Sequence, residues 1–106
     1  MEYRDLGVTG IKVSILGFGA MRLPEEEKNG KYQVKEEESI RMIHRAFELG
    51  VNYIDTAYPY CHGQSEPVVG KALKGWRDKT YLSTKMPTWM VEKKGDYRRF
   101  LEEQLL

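Results

Sequence analysis

With one cysteine, Cys61, the chain has no partner for an internal disulfide. Charge of one sign is missing too. Seventeen basic residues against sixteen acidic ones leave a formal net charge of +1, too weak a field to gather nucleic acid or an anionic membrane. No apolar stretch approaches the ~20 residues of a membrane helix or resembles the core of a signal peptide. These absences predict a mixed surface, a reducing cytoplasm, and neither nucleic acid nor membrane as a partner. Metal is not expected either. Cys61-His62 has only His44 besides, and two adjacent ligands cannot complete a tetrahedral zinc site.

What is present is an alternation of strand and helix patterns. Tyr3 to Leu6 and Ile11 to Ser14 flank the turn-rich Gly7-Val8-Thr9-Gly10 and read as a β-hairpin. Ile15-Leu16-Gly17-Phe18-Gly19 reads as a buried strand, followed by a loop that Pro24 begins. The charged segment from Glu25 to Glu38 is expected to be a solvated loop that runs into a helix. From about Glu36, Ile40, Ile43 and Phe47 recur at helical spacing, with Met42, Ala46 and Leu49 widening the stripe until Gly50. The apolar run from Val51 to Ile54 closes on Asp55. Ser65 is then a candidate N-cap for a helix that buries Val68, Val69, Ala72 and Leu73 and stops at Gly75. Thr80 to Lys85 is a third strand, and Asp96 is a candidate cap for a last helix carrying Phe100, Leu101 and Leu105.

Strands separated by helices of this length predict parallel βαβ units, with Asp55 and Lys85 at the carboxyl ends of neighbouring strands. Chemistry in such folds collects at that end. Asp55-Thr56-Ala57-Tyr58-Pro59-Tyr60 and Ser83-Thr84-Lys85 therefore place a carboxylate, a phenol and an ammonium where a carbonyl-reducing site uses all three. A free tyrosine has a pKa near ~10 and gives up its proton reluctantly at neutral pH, but a nearby ammonium favours the phenolate. Each residue alone has a plain structural role: a rim tyrosine, a strand-end cap, a solvated lysine. Gly17-Phe18-Gly19 is not a dinucleotide fingerprint, because Arg22 stands at the third glycine position and a proline loop follows.

Taken together with Leu16-Gly17-Phe18-Gly19-Ala20-Met21-Arg22-Leu23, Ala46-Phe47-Glu48-Leu49-Gly50 and Gly63-Gln64-Ser65-Glu66, these motifs make the chain resemble the aldo-keto reductases over nearly its whole length. The fit looks closest to bacterial and archaeal members with Tyr-Pro-Tyr after Asp-Thr-Ala, which often carry a ferredoxin-like iron-sulfur tail. The resemblance implies a (β/α)8 TIM barrel preceded by a β-hairpin, and reduction of aldehydes or ketones by NADPH, with NADH as the alternative. It implies an Asp, Tyr, Lys and His tetrad, matched here by Asp55, Tyr60 and Lys85. It places Gly19, Ala20, Met21 and Arg22 along the nicotinamide, and Asp55 at its ribose.

The departure from the family pattern is length. A barrel needs about 250 residues, so residues 1–106 are expected to be the N-terminal fragment of one barrel domain, ending at the start of a third helix. His44 and His62 do not fit the tetrad position, and any 4Fe-4S cluster would lie in a region beyond Leu106. Glu66 is a candidate brace for the Tyr60 loop, and Trp89 and Met90 are candidate walls of a pocket for the carbonyl substrate. Without further strands the sheet edge stays unpaired, so the fragment is expected to self-associate. The alternative reading is a non-catalytic or truncated barrel fragment that serves as a binding or assembly module.

Overall fold

The computed structural model describes residues 1–105. Its centre is a three-stranded parallel sheet in the order β3 (Phe18–Gly19), β6 (Tyr53–Asp55), β7 (Tyr81–Ser83). Phe18, Ile54 and Leu82 form one cross-strand row, and all three pack in the core. The row on either side points to the opposite face by the two-residue period of a strand. Two helices cover the core face: α1 (Glu36–Glu48) through Ile43 and Phe47, and α2 (Ser65–Ala72) through Val68, Val69 and Ala72. The ring of Trp76 closes their far end, 5.3 Å from that of Phe47.

Two antiparallel hairpins flank this unit. The first pairs β1 (Tyr3–Asp5) with β2 (Lys12–Ser14), as expected. It is clamped to the amino end of β6, because the Asn52 side chain accepts from the Ser14 amide at 2.7 Å and donates to the Lys12 carbonyl at 3.0 Å. The Tyr3 hydroxyl adds a bond to the Gly50 carbonyl at 2.8 Å. Gly50 ends the α1 segment at φ 101°, and a Cβ there would sit 2.8 Å from the Met1 Cβ. Gly50→Ala should therefore destabilise the protein by more than the ~1–2 kcal/mol of a left-handed alanine, read as a lower urea midpoint at unchanged slope.

The second hairpin corrects an expectation. β4 (Glu25–Lys28) pairs with β5 (Lys31–Val34) where a solvated loop was read. Asn29 and Gly30 turn it at φ 55° and 73°, the left-handed pair that a two-residue hairpin loop requires. The first strand of the parallel sheet is also shorter than expected. Ile15 and Leu16 lie outside it and are exposed, at 57% and 62%. The ladder extends only as far as its partner, and β6 is three residues long. The same limit trims the expected Thr80–Lys85 strand to Tyr81–Ser83. Met42 and Leu49 do not widen the buried stripe of α1 but face solvent.

Two helix starts also differ from the reading. Ser65 lies inside α2, after a Gln64 N-cap, and turns its hydroxyl to the core. The last helix, α3 (Lys94–Leu105), begins two residues before Asp96. Asp96 caps it from within the first turn by accepting from the backbone amides of Glu92 and Lys93, at 2.9 and 3.2 Å. Those amides hold its carboxyl below the usual aspartate range against partial desolvation. The bond's contribution is present above the ordinary value near 3.8 and is lost as pH falls through the lowered one.

Candidate active site

Parallel pairing in register sets Asp55 beside Ser83, so the chain beyond each strand leaves the sheet at one rim. There Lys85 Nζ donates to Asp55 Oδ2 at 2.7 Å and to the Thr56 carbonyl at 2.9 Å. It lies 4.7 Å from the centre of the Tyr60 ring. Three predicted site residues, 25 and 30 positions apart at the extremes, thus share one ammonium. Desolvation works against the charge on Lys85, but hydrogen bonds to Asp55 and Tyr60, and their charges, carry its pKa above the ordinary lysine value. The ammonium is therefore retained across the whole neutral range.

Tyr60 reaches this place through an unusual loop. Cys61 and His62 both adopt left-handed backbone, at φ 55° and 54°, and Gly63 follows at 85°. Non-glycine residues in that region cost ~1–3 kcal/mol each unless the surroundings impose it. Here the buried Cys61 thiol points at the Met21 and Ala20 carbonyls, at 3.4 and 3.7 Å. The His62 ring packs on Tyr32, 4.0 Å between centres. Cys61 and His62 are thus loop anchors. Among the described residues no group of three His, Cys, Asp or Glu is arranged to hold a metal ion.

Beneath the rim lies a buried hydroxyl chain that the sequence reading missed. The Ser65 hydroxyl donates to the Ala20 carbonyl at 2.8 Å, which commits its single proton. The Thr56 hydroxyl, 2.7 Å from Ser65 Oγ, must then donate to it. The Ala20 amide in turn donates to the Asp55 carbonyl at 2.9 Å. The exits of β3 and β6 and the start of α2 are tied together directly below Asp55. Ser65→Ala should strand the buried Thr56 donor and cost about 1–3 kcal/mol, measured by urea unfolding.

Gly19 pairs with Asp55, and it, Met21 and Arg22 are exposed; space around Gly19 is open, with no atom within 4 Å of where a Cβ would stand. Ala20 is fully buried, with both its backbone polar groups engaged, and supports them from below. A cavity of about 340 Å3 opens on the other side of Tyr60, walled by Met21, Glu25, Tyr32, Pro59, Cys61 and His62. Desolvation, and then Cys61 and Glu25, push the Tyr32 phenol well above the usual tyrosine value, so it faces the cavity as a proton-bearing group. Trp89 and Met90 do not border this cavity. They sit in the turn Thr88–Met90, and Trp89 is 64% exposed. Glu66 accepts through Oε2 from Thr84 and Gln104 instead, and among the described residues it makes no hydrogen bond to the Tyr60 loop.

Residues 15–105 match the aldo/keto reductase family. Over 88 residues the chain is 42% identical to the versiconal hemiacetal acetate reductase of Aspergillus parasiticus, covering 80% of this chain and 25% of that protein. Among solved structures it is similar to the aldo-keto reductase AKR11C1 of Bacillus halodurans in its holo form. That likeness has a TM-score of 0.68 and 42% identity, over 81% of this chain and 26% of the other. The thermostable aldo-keto reductase Tm1743 gives a TM-score of 0.78 at 31% identity, over 99% of this chain and 38% of the other. The chain spans about a quarter of the length of the curated relatives it matches. With its parallel sheet, its helices and its rim of charged residues, the chain belongs to the aldo/keto reductase family.

Proposed function

We propose that this chain supplies the N-terminal part of a (β/α)8 barrel and of the active site of an NAD(P)H-dependent reductase of aldehydes or ketones. The observation that carries the reading is Lys85 Nζ, held between Asp55 and the Tyr60 ring at the carboxyl ends of parallel strands. Reduction of a carbonyl builds negative charge on its oxygen, which must be stabilised and then protonated. Tyr60 Oη gives that proton. Lys85 lowers the cost of the phenolate left behind, and Asp55 with the Thr56 carbonyl holds the ammonium in place.

A reduced nicotinamide, when bound, supplies the hydride. The exposed Gly19, Met21 and Arg22 and the carboxylate of Asp55 fit its flat ring and ribose, because the open space at Gly19 admits close approach to the backbone. Buried Ala20 keeps that surface rigid. The cavity walled by Tyr32 and His62 receives the body of a small carbonyl compound.

The test is oxidation of reduced nicotinamide cofactor by the full-length protein on addition of aldehydes and ketones, followed by loss of its near-ultraviolet absorbance. Turnover with at least one carbonyl compound, at a rate above the cofactor's own decay, is the expected result. A protein that binds the cofactor and turns over no carbonyl compound would overturn the reading.

A further inference from the structure

The ladder of the parallel sheet stops at Ser83, whose carbonyl accepts the last rung from the Thr56 amide at 2.9 Å. Lys85 lies two residues beyond, where no strand holds it. Its backbone is fixed instead by side chains from two helices. The Thr84 hydroxyl donates to Glu66 Oε2 at 2.7 Å, and Glu66 sits in the first turn of α2. Gln104, near the end of α3, donates from Nε2 to the same carboxylate oxygen at 3.1 Å and to the Lys85 carbonyl at 3.0 Å. The two protons of that amide are thus both used. All three side chains are half-buried, where a hydrogen bond to a carboxylate is stronger than at a fully exposed site.

We propose that Glu66, Thr84 and Gln104 are positioning residues that aim Lys85 at Asp55 and Tyr60. This rests on the reductase reading for its consequence in catalysis, but not for its effect on Lys85 itself. A lysine side chain has four rotatable bonds, and the ammonium finds Asp55 and Thr56 only if the backbone at residue 85 is fixed in place and direction. With the Glu66 carboxylate removed, Thr84 and Gln104 lose their common acceptor and the strand exit is free to turn. Lys85 then spends part of its time in water, away from both partners.

The experiment is competitive labelling of lysines in the full-length protein with acetic anhydride at neutral pH, read by mass spectrometry, with exposed Lys31 as internal reference. An ammonium freed from Asp55 gives up its proton more readily, so Glu66→Ala and the near-isosteric Gln104→Met should raise Lys85 labelling about threefold to tenfold relative to Lys31. Glu66→Gln, whose amide oxygen still accepts from Thr84, should restore the wild-type ratio. In reductase assays the first two variants should lower kcat about tenfold at nearly constant KM, the mark of a group that acts on the chemical step. Unchanged Lys85 labelling in either folded variant would overturn the positioning role, whatever the turnover. Absence of turnover in the wild-type protein, with the labelling change intact, would instead overturn the reductase reading and leave the positioning role standing. Gln104→Met keeps the length and nearly the shape of a half-buried side chain and leaves no charge unpaired, so it supplies a folded test even if Glu66→Ala does not fold.

Discussion

Tyr60→Phe should reduce the rate of carbonyl reduction by about 10²–10⁴-fold, the usual loss when a positioned proton donor is removed. The ring stays, so the packing beside Lys85 is preserved and only the hydroxyl is lost. Cofactor affinity, measured by quenching of protein fluorescence, should change by less than about threefold, because the proposed cofactor surface at Gly19, Met21, Arg22 and Asp55 keeps every group. A variant that keeps full turnover would remove Tyr60 from the mechanism. A variant that loses cofactor binding to the same degree as turnover would make the residue a cofactor contact.

Lys85→Met should have a comparable effect on rate, about 10²–10³-fold, by removing the charge that makes the phenolate accessible. Stability tells this apart from unfolding. The pair with Asp55 is well exposed, 48% and 36% for the two side chains, so its loss should shift unfolding by under about 1 kcal/mol. The pH profile carries the same signature. With Lys85 held above 10.5, its ordinary value, the ion pair contributes fully below that pH and is lost as pH rises through the raised value. If the proposed reductase reading holds, the wild-type protein should therefore show no loss of rate from Lys85 deprotonation between neutrality and pH ~10, whereas a lysine released from Asp55 would titrate earlier.

The meeting of Asp55 and Lys85 at one rim was legible because polar residues after apolar runs locate a rim, and parallel pairing brings successive rims together. The α1 stripe through Ile43 and Phe47 was legible for a similar reason, since its period matches 3.6 over three turns. The second hairpin was missed although Asn29-Gly30 announces it, because its first strand, Glu25-Glu26-Glu27-Lys28, is charged on both faces and only the second, Lys31-Tyr32-Gln33-Val34, alternates. Turn chemistry outweighed composition there. Ser65 was read as a cap because only its type and place are visible in a sequence, whereas its partner Ala20 is 45 residues away. Separation in sequence likewise hides the bonds of Glu66, whose two donors, Thr84 and Gln104, stand 18 and 38 residues on.

The β4–β5 hairpin is stapled to the body mainly at its base. Gln64 accepts from the Val34 amide at 2.9 Å and donates to the Tyr32 carbonyl at 3.4 Å, and the Lys35 amide closes the base on the Pro24 carbonyl at 2.8 Å. Its tip, Asn29-Gly30, is exposed. The clamp of the first hairpin by Asn52 lies at the opposite end of β6. Such an arrangement makes the ribbon a replaceable cassette. A change in the length or charge of the tip would leave the staple at Gln64 undisturbed, and Tyr32, which meets the cavity beside Tyr60 from the second strand, would travel with the ribbon. Exchange of this short ribbon would thus reshape the cavity wall, while Lys85 keeps its bonds to Asp55 and Thr56.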